Sequence, residues 1–470
     1  MKKIIYYILL CGIYANIITL SSCNGYLNEE PKGKKIPSTL VDYEAMLRYE
    51  YGGHRMNVMQ ALHLLNDRFV STSSLGNYPL YKANYNWEEE TDRTQWNNSD
   101  ETTYYNGYEA IGLCNLVIDN ALTAKEATDA ERHLVYDYAR VLRAMHYFQV
   151  VNYYADTYTS STAESKLSVP LITSSDEGAS YKQVSIQEIY DFMIKEVTES
   201  LSDLPDMGAT ILHPGKGAAY AFLARLYLQM QDYTNALSYA EKALTVNNQL
   251  YDWTVYYNEN IGEIAKPDSY NATASPMGFT FIENYNYNHG ATYYATRGES
   301  MPQHRGEEYE TGDAFFLSNW KLRTASGDTY YYATTTGFFN YGGMRTVEMY
   351  FIKAECLARN NNIKGAMDIL NEVRIKRILP AYYHPLTATT TAEAIGYIRQ
   401  AKDNAMIMSI VPFGDARRYN AEGTYTKTLS KVVSGKTLTL SPTSHLWTMP
   451  FPLGAIENSG NGTITQNVSK

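Results

Sequence analysis

Glu88-Glu89-Glu90, Gly435-Lys436-Thr437, nine His and four Cys are the residues of this chain whose types invite a chemical role. Spacing decides each case. Glycoside hydrolysis needs two carboxylates placed on either side of one bond. The acidic triplet is the densest run of carboxylates, and it reads as a solvated loop rather than an acid–base pair. A phosphate loop ending in Gly-Lys-Thr needs a Gly five places before Gly435, and Ser430 stands there. No two His lie four apart, so no helix face offers a pair of zinc ligands. The Gly-x-Ser-x-Gly elbow and the Asp-rich calcium loop are absent. No Cys belongs to a Cys-x-x-Cys pair. The expectation is no catalytic residue, no metal, no cofactor and no enzymatic activity.

One Cys does carry chemistry. Lys2 and Lys3 precede a mostly apolar run from Ile4 to Leu20, then Leu20-Ser21-Ser22-Cys23. A basic start, a short apolar stretch and small residues at its end make a secretory signal peptide over residues 1–22. A Cys placed directly after Leu-Ser-Ser resembles a bacterial lipobox, in which the thiol takes a diacylglyceryl group. Two acyl chains anchor a protein stably without a membrane span. Cys114 and Cys356 lie inside helical patterns and read as buried free thiols.

The elements around these residues are mostly helices. Apolar residues make up 44% of 470, enough for a large core, and the formal net charge of -10 disfavours nucleic acid. Leu134, Tyr138, Leu142, Met145 and Phe148 form one stripe at helical spacing, and Ile186, Ile189, Tyr190, Met193, Val197 and Leu201 another. Ser185 with Glu188, and Thr390 with Glu393, have capping-box spacing. A longer period is also present. Tyr220, Leu223, Ala224, Tyr227, Ala236 and Ala243 occupy tetratricopeptide positions, with Ala240 where a bulky aromatic is usual. Tyr350, Ala354, Leu357, Ala366, Leu370 and Val373 repeat the frame. Such a helix pair cannot bury its face alone and must stack on neighbours. The fold class is therefore mainly α, a tetratricopeptide-like helix-pair scaffold with pairs at about 105–245 and 343–410. Long irregular insertions, about 66–105 and 249–343, interrupt it. They are rich in Tyr, Asn, Gly and Thr, and the chain holds 44 Tyr against 13 Phe. So many amphipathic rings suggest half-exposed aromatics rather than disorder.

Cys23-Asn24-Gly25-Tyr26-Leu27-Asn28-Glu29-Glu30-Pro31 resembles the mature start of SusD/RagB-family outer-membrane lipoproteins of Bacteroidota. Arg140-Val-Leu-Arg143-Ala144-Met-His-Tyr147-Phe148 resembles a helix of that family. Arg345-Thr-Val-Glu348-Met-Tyr350-Phe-Ile-Lys353-Ala354-Glu355 resembles its most distinctive one, with Asn371-Glu-Val-Arg374 as partner. Pro450-Phe-Pro-Leu-Gly-Ala-Ile456-Glu-Asn458 and Gln466-Asn467 resemble its closing signatures. The family's Glu-Arg-x-x-Glu helix is replaced by Ile398-Arg399-Gln-Ala-Lys402-Asp403, which puts the local salt-bridge network in question. The resemblance implies a SusD-like domain over 23–470, lipid-anchored at the outer membrane and exposed at the cell surface. It implies a protein that captures oligosaccharides or polysaccharides for a SusC-like TonB-dependent transporter.

Sugars explain the aromatic bias. A pyranose has C–H faces that lie flat on a ring and hydroxyl edges that need amides, carboxylates and guanidinium groups. Trp87, Trp96, Tyr293, Tyr294 and Trp320 are the expected stacking walls, and Asp67, Asn98 and Arg297 the expected hydrogen-bonding groups. Trp320 is expected to stand free while Phe315 and Phe316 pack inward. Trp253 and Trp447 are expected in the core. Two other readings remain: a helical-repeat glycoside hydrolase or lyase, marked by paired carboxylates in one cleft, and a structural, adhesion or peptide-binding repeat protein.

Overall fold

The computed structural model describes residues 37–48, 57–75, 79–95, 102–266, 276–288, 299–334, 339–433 and 436–470. Cys23 and its leader lie outside the described residues. The helices, in chain order, are α1 (Leu40–Leu47), α2 (Met59–Leu65), α3 (Pro79–Asn86), α4 (Thr102–Ala121), α5 (Asp129–Tyr154) and α6 (Ile186–Ser200). They continue with α7 (Lys216–Gln229), α8 (Tyr233–Val246), α9 (Trp253–Ile264), α10 (Gln303–Gly306) and α11 (Ala314–Asn319). Then come α12 (Thr346–Arg359), α13 (Ile363–Arg374), α14 (Thr391–Ala405) and α15 (Val411–Glu422), followed by a short helix at Leu453–Glu457. No helix among the described residues is long and apolar enough to cross a membrane.

The scaffold is made of helix pairs. α4 packs on α5, α7 on α8 and α12 on α13, and α8 against α12 joins the last two pairs. Ala224, Ala236, Ala354 and Ala366 are fully buried where small side chains let backbones approach. Ala240, which replaces the usual aromatic, is buried with them. Caps set the helix starts. Ser185 accepts from the Glu188 amide (3.1 Å), and the Glu188 carboxylate takes the Ser185 amide (2.7 Å), so this box is complete. At α14 the box is displaced: Thr390 accepts from the Glu393 amide, but the Glu393 carboxylate takes the amide of Thr389.

Buried ion pairs lock the pairs together. Arg225 on α7 holds Glu348 on α12 through two bonds of 2.8 and 2.7 Å. The network in question after the sequence analysis does form. Arg418 on α15 grips Glu355 on α12 at 2.7 and 2.9 Å and reaches Asp415 at 3.1 Å, and Lys402 pairs with Asp415 at 2.6 Å. Glu355 and Asp415 supply the carboxylates that the helix around Arg399 lacks. Cys114 and Cys356 are buried free thiols, and Trp253 and Trp447 are in the core.

The insertion at 249–343 is more regular than its composition suggests. It holds α9, α11 and an antiparallel sheet of β3 (Ser300–Pro302), β5 (Asp328–Ala333) and β4 (Trp320–Ala325), in that order. Earlier in the chain β1 (Leu167–Leu171) pairs with β2 (Tyr181–Ser185), and β2 with β8 (Gly462–Thr463). β6 (Leu429–Val433) and β7 (Lys436–Leu440) form a hairpin. Helical period was hard to see in α9 because its polar face is Tyr- and Asn-rich; Trp253, Tyr256 and Ile264 are buried from it. The β4–β5 turn has two central residues, Ser326 and Gly327, both at positive φ (54° and 88°), as a type I′ hairpin turn requires.

Candidate functional site

Four consecutive residues after α2 organise two neighbouring surfaces. Asn66 ends the helix in the left-handed conformation (φ 58°), which Asn tolerates because its amide bonds locally, here to the His63 carbonyl at 3.0 Å. Its Oδ1 accepts from Lys431 Nζ on β6 at 2.7 Å. Asp67 accepts from Arg305 Nε on α10 at 2.7 Å. Arg68 donates to Glu299 at 2.7 Å, just before β3. The Phe69 amide donates to the Ser300 carbonyl at 2.8 Å, and the Phe69 ring stacks on Tyr330 of β5, 4.4 Å away and 6° from parallel.

One surface is a small open cleft of about 90 Å3. Its charged lining comprises Asp67, Arg305, Glu308, Arg399, Asp403 and Lys427, with Trp87 and His304 beside them. These charges answer one another. Arg305 bonds Asp67 and also the Asn404 side chain (2.8 Å). Glu308 lies 3.7 Å from both Arg305 and Lys427, and Arg399 lies 3.9 Å from Asp403. Burial raises the Asp403 carboxyl to about 6, although Arg399 and Arg305 pull it down. Burial also lowers Lys431 to about 7. That ammonium sits 4.3 Å over the rings of both Tyr85 and Trp87 and donates to the Tyr85 carbonyl. His63, edge-on to Tyr81 and Tyr85, is pushed to about 3 by burial, then by Arg68 and Lys431, and stays neutral. Among the described residues no group of three His, Cys, Asp or Glu converges as a metal would need.

The other surface is the β3–β5–β4 sheet. Register places Tyr332 opposite Lys321 and Tyr330 opposite Arg323, so all four share one face. Phe69 covers one side of Tyr330 on this face. Arg323 is exposed and lies 5.8 Å from the Tyr332 ring centre. Tyr330 and Tyr332 are half-buried. On the opposite face Met301, Trp320 and Ala333 are buried and Tyr331 is half-buried, while Leu322 toward the turn is exposed. Tyr331 lies so close over Gly306 of α10 that any Cβ there would strike its ring. Half-exposed rings beside an exposed cation can stack on a flat C–H surface and hydrogen-bond its polar edge.

Residues 25–228 match the model of a SusD-like family described as starch-binding and associating with the outer membrane. That stretch of the chain is SusD-like in sequence. Solved structures share its fold along nearly all its length. A SusD superfamily protein from Bacteroides vulgatus ATCC 8482 superposes with a TM-score of 0.71 at 15% identity, covering 92% of this chain and 99% of that one. A SusD superfamily protein from Bacteroides thetaiotaomicron VPI-5482 gives 0.66 at 16% identity, covering 92% and 100%. Surface glycan-binding protein A from Bacteroides uniformis gives 0.64 at 15% identity, covering 91% and 99%. No curated protein matches by sequence.

Of the site residues expected from sequence, Trp96, Asn98, Tyr293, Tyr294 and Arg297 lie outside the described residues. Asp67 and Trp87 meet at the cleft. Both differ from expectation in exposure. Asp67 is 4% exposed and committed to Arg305, and Trp87 is 6% exposed with its indole N–H donated to the Leu64 carbonyl (2.8 Å). Trp320 is a correction. It is 3% exposed and stacked 6.0 Å from Phe339, because the first position of β4 faces the core. Phe315 is buried beside Trp253 as expected, whereas Phe316 is half-buried between Tyr309 and Tyr331. Sequence reasoning missed Phe69, Arg323, Tyr330 and Tyr332 as a group. A signal was there: Ser-Gly between two alternating runs marks a hairpin, and period two puts Arg323, Tyr330 and Tyr332 together.

Proposed function

We propose that this SusD-like protein is a cell-surface glycan-binding lipoprotein. The observation that carries the reading is the open sheet face, where Tyr330, Tyr332 and Phe69 lie beside exposed Arg323. The family model's starch-binding description supports it, as do solved SusD-fold structures described as a putative sugar-binding protein and a surface glycan-binding protein. In this proposal residues 1–22 are removed, Cys23 is acylated, and residues 23–470 form one ligand-binding unit at the outer membrane. Bound oligosaccharide then passes to a SusC-like TonB-dependent transporter. The test is a glycan array on the soluble form beginning after Cys23, followed by calorimetry. Binding to a polysaccharide, weakened in a Tyr330→Ala, Tyr332→Ala double variant, is expected; binding unchanged in that variant moves the site elsewhere.

A hydrolase reading has one observation in its favour: the Asp403 carboxyl, raised to about 6, faces a cleft that also holds Asp67 and Glu308. The burial of Asp67, 4% exposed with its carboxylate turned to Arg305, counts against it, since a nucleophile or base must reach the sugar. Release of reducing ends from a bound polysaccharide, abolished by Asp403→Asn, would establish that second reading.

A further inference from the structure

Arg323 differs from the other described arginines. Arg48, Arg68, Arg132, Arg140, Arg143, Arg225, Arg305, Arg359, Arg374, Arg377 and Arg418 each bond a carboxylate. Arg93, Arg345, Arg399 and Arg417 each donate to backbone carbonyls. Among the described arginines, Arg323 alone has a side chain with neither an ion pair nor a hydrogen bond; a ring contact with Tyr332 is that side chain's one interaction. A chain with 50 acidic residues against 40 basic ones has acids enough to pair it. Arg323 instead stands exposed on the strand face that carries Tyr330 and Tyr332, with Lys321 two residues away on that same face. The acid that shares this face, Asp328, sits at the turn and is felt by the Tyr85 hydroxyl, and it makes no ion pair with Arg323.

We infer that this face takes acidic glycans: a sugar ring lies against Tyr330 or Tyr332 while its carboxylate or sulfate is bound by Arg323. The inference rests on the glycan-binding reading above and narrows its ligand class. A guanidinium presents two parallel N–H donors that match the two oxygens of a carboxylate or sulfate, and a neighbouring aromatic wall excludes water from the pair. Lys321 adds a second positive charge at the next same-face position along β4. A neutral glycan would use the rings and leave the Arg323 charge without a counter-group.

The experiment is calorimetry at low and moderate salt with four probes in two pairs: an oligogalacturonide beside the same oligomer fully methyl-esterified, and a sulfated galactan oligomer beside its desulfated form. The expected result is tenfold or tighter binding of at least one charged member over its neutral counterpart. That advantage should shrink as salt screens the pair. Which charged probe wins separates carboxylate from sulfate. Arg323→Gln should remove the advantage without moving the melting temperature, since the side chain is exposed and unbonded. Arg323→Lys should restore it in part. Equal affinity for charged and neutral members overturns the inference, as does an advantage that survives Arg323→Gln. If neutral members bind well, glycan binding itself stands; if no array glycan binds, both readings fall.

Discussion

The cleft and the sheet face lie on two sides of Asn66–Phe69, and they treat charge in opposite ways. In the cleft each charged group has an answer: Asp67 has Arg305, Glu308 has Arg305 and Lys427, Asp403 has Arg399. Where the answer is weak, burial moves the group toward neutrality, as at Asp403 and Lys431. On the sheet face the rings are half-exposed and Arg323 is unpaired. The difference shows how a charged pocket can be structural while a shallow face is the better candidate for recognition. Pairing a buried charge fulfils a need internal to the fold. An exposed charge left unpaired beside aromatic rings fulfils none: it meets water in the free protein and stays open to a ligand.

Variants on the two sides should separate stability from affinity. The largest effect is expected from Trp320→Ala, behind the sheet. It empties a core site and should cost about 3–5 kcal/mol in urea unfolding, with glycan affinity preserved in the folded fraction. A small stability loss with weakened binding would return Trp320 to the ligand side. Asp67→Asn comes next. It keeps the shape but leaves the buried Arg305 guanidinium with only the more distant Glu308 as counter-charge, at a cost of about 3 kcal/mol. If the melting temperature barely moves, the cleft is wetter and less structural than described.

Tyr330→Ala should do the reverse. By analogy with stacking on aromatic platforms, it should weaken glycan binding by ~1–3 kcal/mol. That is about fivefold to a hundredfold, read by calorimetry. Stability should change by less than affinity, because the ring is half-buried. A melting-temperature collapse with intact binding would make the sheet face a packing surface.

The smallest effect is a pH slope. Lys431 titrates at about 7 in the folded chain against 10.5 for the unperturbed side chain. Between those values the unfolded chain holds the extra proton, so this group makes stability rise as pH rises from 7 toward 10. Lys431→Met should flatten that rise when urea midpoints are compared at pH 7, 8 and 9. Parallel slopes in variant and parent would mean that Lys431 stays protonated over the rings of Tyr85 and Trp87.

Much of the scaffold was readable because its determinants are local. The alanines at 224, 236, 354 and 366 and the Ser185–Glu188 box act within one helix or one hairpin of helices, and each is found where its spacing placed it. The candidate site was less readable. Asp67 is 238 residues from Arg305, and Arg68 is 231 from Glu299. No local pattern records such pairs. The network around Arg418 shows the same limit: Glu355 and Asp415 supply its carboxylates from α12 and α15, although the motif expected nearby is missing.

By itself, then, the amino-acid sequence determined the helix-pair scaffold, the aromatic character of the insertions and the family resemblance, because period, caps and composition act over a few residues. Only the tertiary structure decided which rings face water. In a hairpin, neighbouring side chains point to opposite faces, so one position of register separates Trp320, turned to the core, from Lys321 on the exposed face. Composition treats the Tyr residues at 330, 331 and 332 alike. The packing of β5 over Gly306 turns Tyr331 inward and leaves Tyr330 and Tyr332 beside Arg323.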